Sequence, residues 1–73
     1  MATETPRPGD CIISENGEGS YDVMRVTVQG AHEIMREGLT TLDTARDTAR
    51  ANLESGRILV RHHSAPDQFE RFA

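Results

Sequence analysis

Apolar positions recur with a helical period over residues 40–56, and this is the one segment with a start, a period and a stop. Leu42, Ala45, Ala49 and Leu53 are three and four residues apart and so share one stripe, while Asp43, Asp47, Arg50 and Glu54 fall elsewhere on the cylinder. Thr40 or Thr41 supplies a hydroxyl for the first unpaired helix amides, and Asp43 places negative charge at the positive end of the helix dipole. Gly56 follows the last periodic residue, where a left-handed cap favours glycine, and strand-like residues come directly after it. The stripe is narrow and alanine-rich. It can approach a flat partner closely but buries little area by itself, so the pattern predicts a helix resting on a sheet.

Strands are predicted on both sides of that helix. Residues 11–15 form a short apolar run ending at Asn16-Gly17, a dipeptide suited to a hairpin turn, with a loop of up to five residues reaching Ser20. From 21 to 29 the chain reads as strand, but Tyr21 and Val23 alternate on one face and Met24, Val26 and Val28 on the other. A bulge, or a sheet covered on both faces, accounts for that switch, and a second copy of the protein is one way to cover the outer face. Residues 31–37 return as a third strand, with a short helix as the alternative. Residues 57–62 give the clearest strand, expected centrally in the sheet. The end of the chain is open to two readings. Pro66-Asp67 suits the middle of a type I turn leading to a last strand, whereas Ser64 with Asp67 resembles a helix cap ahead of Phe69 and Phe72.

The expected fold is therefore α+β, an antiparallel sheet of three to five strands packed on one helix in the order β-β-β-α-β, with a possible final strand. Its core is expected to include Ile13, Tyr21, Val23, Leu42, Ala45, Ala49, Leu53, Ile58 and Val60. Residues 1–10, with Pro6, Pro8 and Gly9 among small polar residues, read as a flexible tail, and residues 11–73 as a single domain. No repeat, heptad run or low-complexity tract occurs.

Size and composition sharpen this picture. A chain of 73 residues buries only about 60% of its open-chain surface, and here hydrophobic residues are 36% with Tyr21, Phe69 and Phe72 the only aromatics. One core of this size yields about 3 to 5 kcal/mol, and small domains often supplement it by pairing with a copy of themselves. The single cysteine, Cys11, excludes an internal disulfide and, followed by two isoleucines, reads as a small buried hydrophobe. Residues 1–8 hold no apolar run and no basic leader, so neither signal peptide nor membrane anchor is expected, and a soluble cytoplasmic protein is the default.

Two or three strands, a threonine-opened helix filled with alanine, and a strand after glycine make up an order carried by Tyr21-Asp22-Val23, by Leu39-Thr40-Thr41-Leu42-Asp43-Thr44-Ala45 and by Gly56-Arg57-Ile58-Leu59-Val60-Arg61. Over about two thirds of the chain it resembles small bacterial domains of unknown function with a ββ(β)αβ(β) plan. Such families often carry a tryptophan near the second strand, where this chain has Tyr21. The resemblance implies an antiparallel sheet on one helix and transfers no catalytic residue.

Candidate chemistry is sparse. His62 and His63 are adjacent and would point to opposite faces of a strand, and His32 lies on another segment, so no convergent metal set is spaced out. Cys11 with a histidine could in principle make a thiolate nucleophile, but nothing in the spacing builds a pocket around it. Serine-hydrolase, phosphate-loop and dinucleotide motifs do not occur. No enzyme activity, cofactor or metal is expected.

Charge offers two further readings. Residues 1–38 hold three arginines against seven acids, residues 39–73 hold five of each, and there is no lysine. Arg57, Arg61, His62 and Arg71 form a candidate nucleic-acid contact, since guanidinium groups bind phosphate bidentately, although the aromatic residues that stack bases are missing. The acidic first half instead suits an inhibitor of a basic partner. The leading expectation is a noncatalytic protein-interaction module, self-associating as a homodimer or binding an unidentified protein partner through a sheet face or edge that the helix leaves uncovered.

Overall fold

A computed structural model describes residues 4–53 and 56–72. The elements are β1 (Cys11–Glu15), β2 (Tyr21–Val26), β3 (His32–Leu39), α1 (Leu42–Asn52), β4 (Ile58–Arg61) and β5 (Glu70–Arg71), and the strands form one sheet in the order β3-β2-β1-β4-β5. The α+β class and the order β-β-β-α-β are as the sequence predicts, and of the two readings of the chain's end the structure shows the final strand. Three of the four pairings are antiparallel, but β1 and β4 run parallel, Cys11 opposite Ile58 and Ile13 opposite Val60. The departure follows from the connection. A helix between β3 and β4 carries the chain back across the sheet, so β4 starts from the end where β3 started and runs in the direction that β3 shares with β1. β4 lies inside the sheet, between β1 and β5, while β1 takes the middle position.

α1 begins as predicted. Thr41 is extended and its Oγ1 accepts from the Thr44 amide at 3.1 Å. Its other end differs, because the helix stops at Asn52 with Leu53 extended, and Gly56 is not in the left-handed region. Glycine is needed at position 56 for space. A Cβ there would lie 2.3 Å from the Gly9 carbonyl oxygen and 2.6 Å from Asp10 Oδ1.

The apparent phase change in β2 reflects a sheet buried on both faces. Toward α1, Cys11, Ile13, Val23, Ala45, Ala49, Ile58 and Val60 form the main core, with Tyr21, Leu39, Leu42, Leu53 and Phe72 packed around it. All nine expected core residues lie in that cluster. On the other face Ile12, Met24, Val26 and Leu59 are buried under Phe69 of the same chain. A second copy is therefore not what covers this face. The exposed surface of 4666 Å² is near the about 4,500 Å² expected for a compact monomer of this mass, in keeping with two covered faces.

Pro66 and Asp67 occupy the middle of a turn closed by the Gln68 amide on the Ala65 carbonyl, which delivers the two-residue β5 to the edge of β4. Residues 16–20 form the five-residue β1–β2 loop, where Asn16 Oδ1 accepts from the Glu18 amide at 2.8 Å. Residues 4–10, read from sequence as a tail, bond to the fold at several points: Glu4 bridges Phe69, and the Gly9 amide donates to the Val26 carbonyl.

Candidate functional site

The four candidate nucleic-acid residues lie on or beside β4 and β5, but on two faces. Arg57, Leu59 and Arg61 alternate along one face, and Arg71 stands opposite Leu59, so the three arginines share the side away from α1. His62 belongs to the opposite row, between Glu15 Oε1 at 3.8 Å and Glu70 Oε2 at 3.4 Å, with its side chain half exposed.

Two of the arginines have their donors engaged within the chain. Arg57 Nη1 donates to Glu4 Oε1 at 3.0 Å, and Nη2 donates to the Thr5 carbonyl and to Asp10 Oδ2, each at 2.8 Å. Asp10 is only 2% exposed, and it also accepts from the Arg57 amide at 2.8 Å and the Arg7 amide at 2.9 Å. Burial pushes the Asp10 carboxyl up, but hydrogen bonds from the Arg57 side chain and from the Arg57 and Arg7 amides, with the guanidinium charge, hold it net below its ordinary value. The same hydrogen bond to Asp10 is the main reason the Arg57 guanidinium holds its proton more firmly than usual. The result is a clip that joins the segment before β1 to the entrance of β4. Arg61 donates through Nε and Nη2 to Ser14 Oγ at 3.2 and 2.8 Å and lies 5.9 Å from the Phe69 ring centroid. Arg71 is exposed, and among the described residues it makes no such bond.

His32 meets Phe69 edge-on at 6.4 Å, and His63 stands against Gly17. The three histidines do not converge, and among the described residues no group of three or more potential ligands is gathered. Cys11 is fully buried, its thiol donates to the Ala49 carbonyl at 3.6 Å, and burial pushes the thiol pKa up, the opposite of what a nucleophile needs.

The margins of the sheet are unequal. β5 is two residues long, whereas β3 is the longest strand and six of its eight residues are exposed. Two irregularities interrupt its pairing with β2. Met24 faces Ile34 and Val23 faces Arg36, so Met35 is an extra residue, and a further one lies between Arg36 and Leu39, where Gly38 takes φ 70°. Val28, in the turn before β3, is 90% exposed, and Ile34 is 53% exposed. Arg25 Nη2 bonds Glu33 Oε1 at 2.9 Å, and among the described residues no ion pair involves Arg36.

Sequence reasoning missed both Asp10 and the β3 edge. Asp10 sits directly before the first apolar run, as Arg57 does before the last one, and opposite charges at two strand entrances were a usable signal. The bulge at Met35 had none, since its extra residue is defined only by the partner strand. No helix among the described residues is long and apolar enough to cross a membrane. Comparison with known proteins finds no family model, no curated protein and no solved structure that matches this chain.

Proposed function

We propose that this domain is a noncatalytic protein-interaction module that works as a homodimer. One observation carries the reading: a long strand forms an outer margin of the sheet, and it and its turn hold the two large apolar side chains that stand in solvent among the described residues, Val28 and Ile34. Such a margin exposes a row of backbone donors and acceptors that another strand can use. The arginine strip supports binding of RNA or DNA less well, because Arg57 donates to Glu4, Thr5 and Asp10 and Arg61 to Ser14. Sedimentation velocity from micromolar to millimolar concentration tests the proposal. The weight-average mass is expected to rise from 8.1 kDa toward twice that value, with an affinity at the weak end for specific interfaces because one strand edge buries little area. A mass that stays at one chain throughout refutes it.

A further inference from the structure

We infer that β3 pairs antiparallel with β3 of a second copy, about a two-fold axis passing beside Ile34. The inference rests on the homodimer reading and names its surface and register.

Backbone direction selects the centre. The Thr27 amide bonds the Ala31 carbonyl at 2.8 Å, and bonded and non-bonded pairs alternate along an antiparallel ladder. Counting along the register from Thr27 and Ala31, Val26 with His32 is a non-bonded pair, Arg25 with Glu33 a bonded one and Met24 with Ile34 non-bonded again. The N–H and C=O of Ile34 therefore point away from β2, toward the open margin. A two-fold axis normal to the sheet beside such a residue makes a pair in which the two copies of Ile34 exchange both hydrogen bonds, and their half-exposed side chains meet on the face away from α1.

Charge selects the same centre. Because Met35 is an extra residue, Glu33 and Arg36 fall one step to either side of Ile34, both on the face toward α1, opposite Arg25 and Val23. The two-fold axis then sets Glu33 of each copy opposite Arg36 of the other. Arg36, which pairs with no carboxylate among the described residues, gains one, and Glu33 comes to lie between Arg25 and the second copy's Arg36. A regular strand centred on Ile34 would instead set Arg36 against His32 and Glu33 against Met35. Centring on Glu33 would oppose two like charges and turn the central backbone groups inward. Bulges and charges ordinarily guard a sheet margin against pairing. Here the same devices leave one self-complementary register.

The test is sedimentation velocity on the full chain and on variants whose folding is checked by circular dichroism. Wild type is expected to dimerise. Ile34→Lys, which places two ammonium groups against each other, and Arg36→Glu, which opposes carboxylates twice by symmetry, should each weaken the dimer on the order of tenfold or more. Glu33→Arg should weaken it likewise, and an equimolar mixture of Glu33→Arg with Arg36→Glu should recover dimerisation, because each arginine again meets a glutamate. That recovery cannot come from a variant that fails to fold. If wild type dimerises and these variants and their mixture leave its affinity unchanged, the β3 register is overturned while the homodimer stands. If wild type is a monomer at every concentration, both fall.

Discussion

Replacing Asp10 by alanine should remove a large part of the stability of the fold. The residue is 2% exposed, and its carboxylate accepts three hydrogen bonds, from the Arg57 amide, Arg57 Nη2 and the Arg7 amide. Alanine leaves both amides without that acceptor and takes one carboxylate from the guanidinium. A buried polar group without a partner costs about 1 to 3 kcal/mol, and breaking a buried ion pair about 3 to 5. Here the bond from Arg7, an exposed residue, is only partly buried, and Arg57 keeps Glu4 and Thr5, so the net loss should be about 3 kcal/mol. A domain of 73 residues has about 4 to 11 kcal/mol in total, so the variant should melt roughly 12 to 24 °C lower.

Asp10→Asn keeps one acceptor and the shape and should lose about half as much. Urea unfolding followed by circular dichroism at neutral pH measures both. A loss under about 1 kcal/mol for alanine, or equal losses for the two variants, would refute the assignment of the clip to this carboxylate. The pH dependence has a definite sign. The folded carboxyl titrates below its ordinary 3.8, so its contribution is complete above that value and is lost as pH falls through the lower, folded value. The gap between wild type and Asp10→Asn should therefore close only below pH 3.8.

Gly56→Ala should cost about 2 to 3 kcal/mol in the same assay, because its methyl group would meet backbone at Gly9 and force the clip apart. Gly17→Ala serves as the control: it meets only the ring of His63, an exposed side chain that can turn away, so its effect should stay within about 0.5 kcal/mol. Thr41→Ala removes the acceptor for the Thr44 amide and should cost about 1 kcal/mol, with Thr41→Ser close to wild type.

Much of the architecture was legible because it depends on local periodicity. The stripe of Leu42, Ala45, Ala49 and Leu53, the cap at Thr41 and the branched run of Ile58, Leu59 and Val60 each signal their element within a few residues. The β1–β2 loop is legible for the same reason, whereas at Pro66-Asp67 local pattern suits a turn and a helix cap alike and the structure shows the turn. Gly56 shows the limit of that reasoning. Its place after a helix suggests a left-handed cap, yet its role is steric and depends on Gly9 and Asp10, more than forty residues earlier in the chain.

The candidate site was less legible. Arg57, Arg61, His62 and Arg71 were grouped by closeness in sequence, and the structure divides them between two faces and engages Arg57 and Arg61 with groups from the first fifteen residues. Charge pairing is a property of three-dimensional neighbours. The β3 margin is the converse case, since the extra residue at Met35 exists only relative to β2.

The sequence by itself determined α1, the strands that precede and follow it at 11–15, 21–26 and 57–62, and the core beneath α1, because backbone propensity and the alternation of apolar residues act over a few positions; residues 31–37 and the end of the chain it left open between strand and helix. Only the tertiary structure decided that β4 lies parallel to β1, that Phe69 closes the second face, that Asp10 clips the chain before β1 to β4, and that Glu33 and Arg36 share one face of the sheet margin. Each of these is set by which distant segment lies alongside, and local pattern carries no record of that.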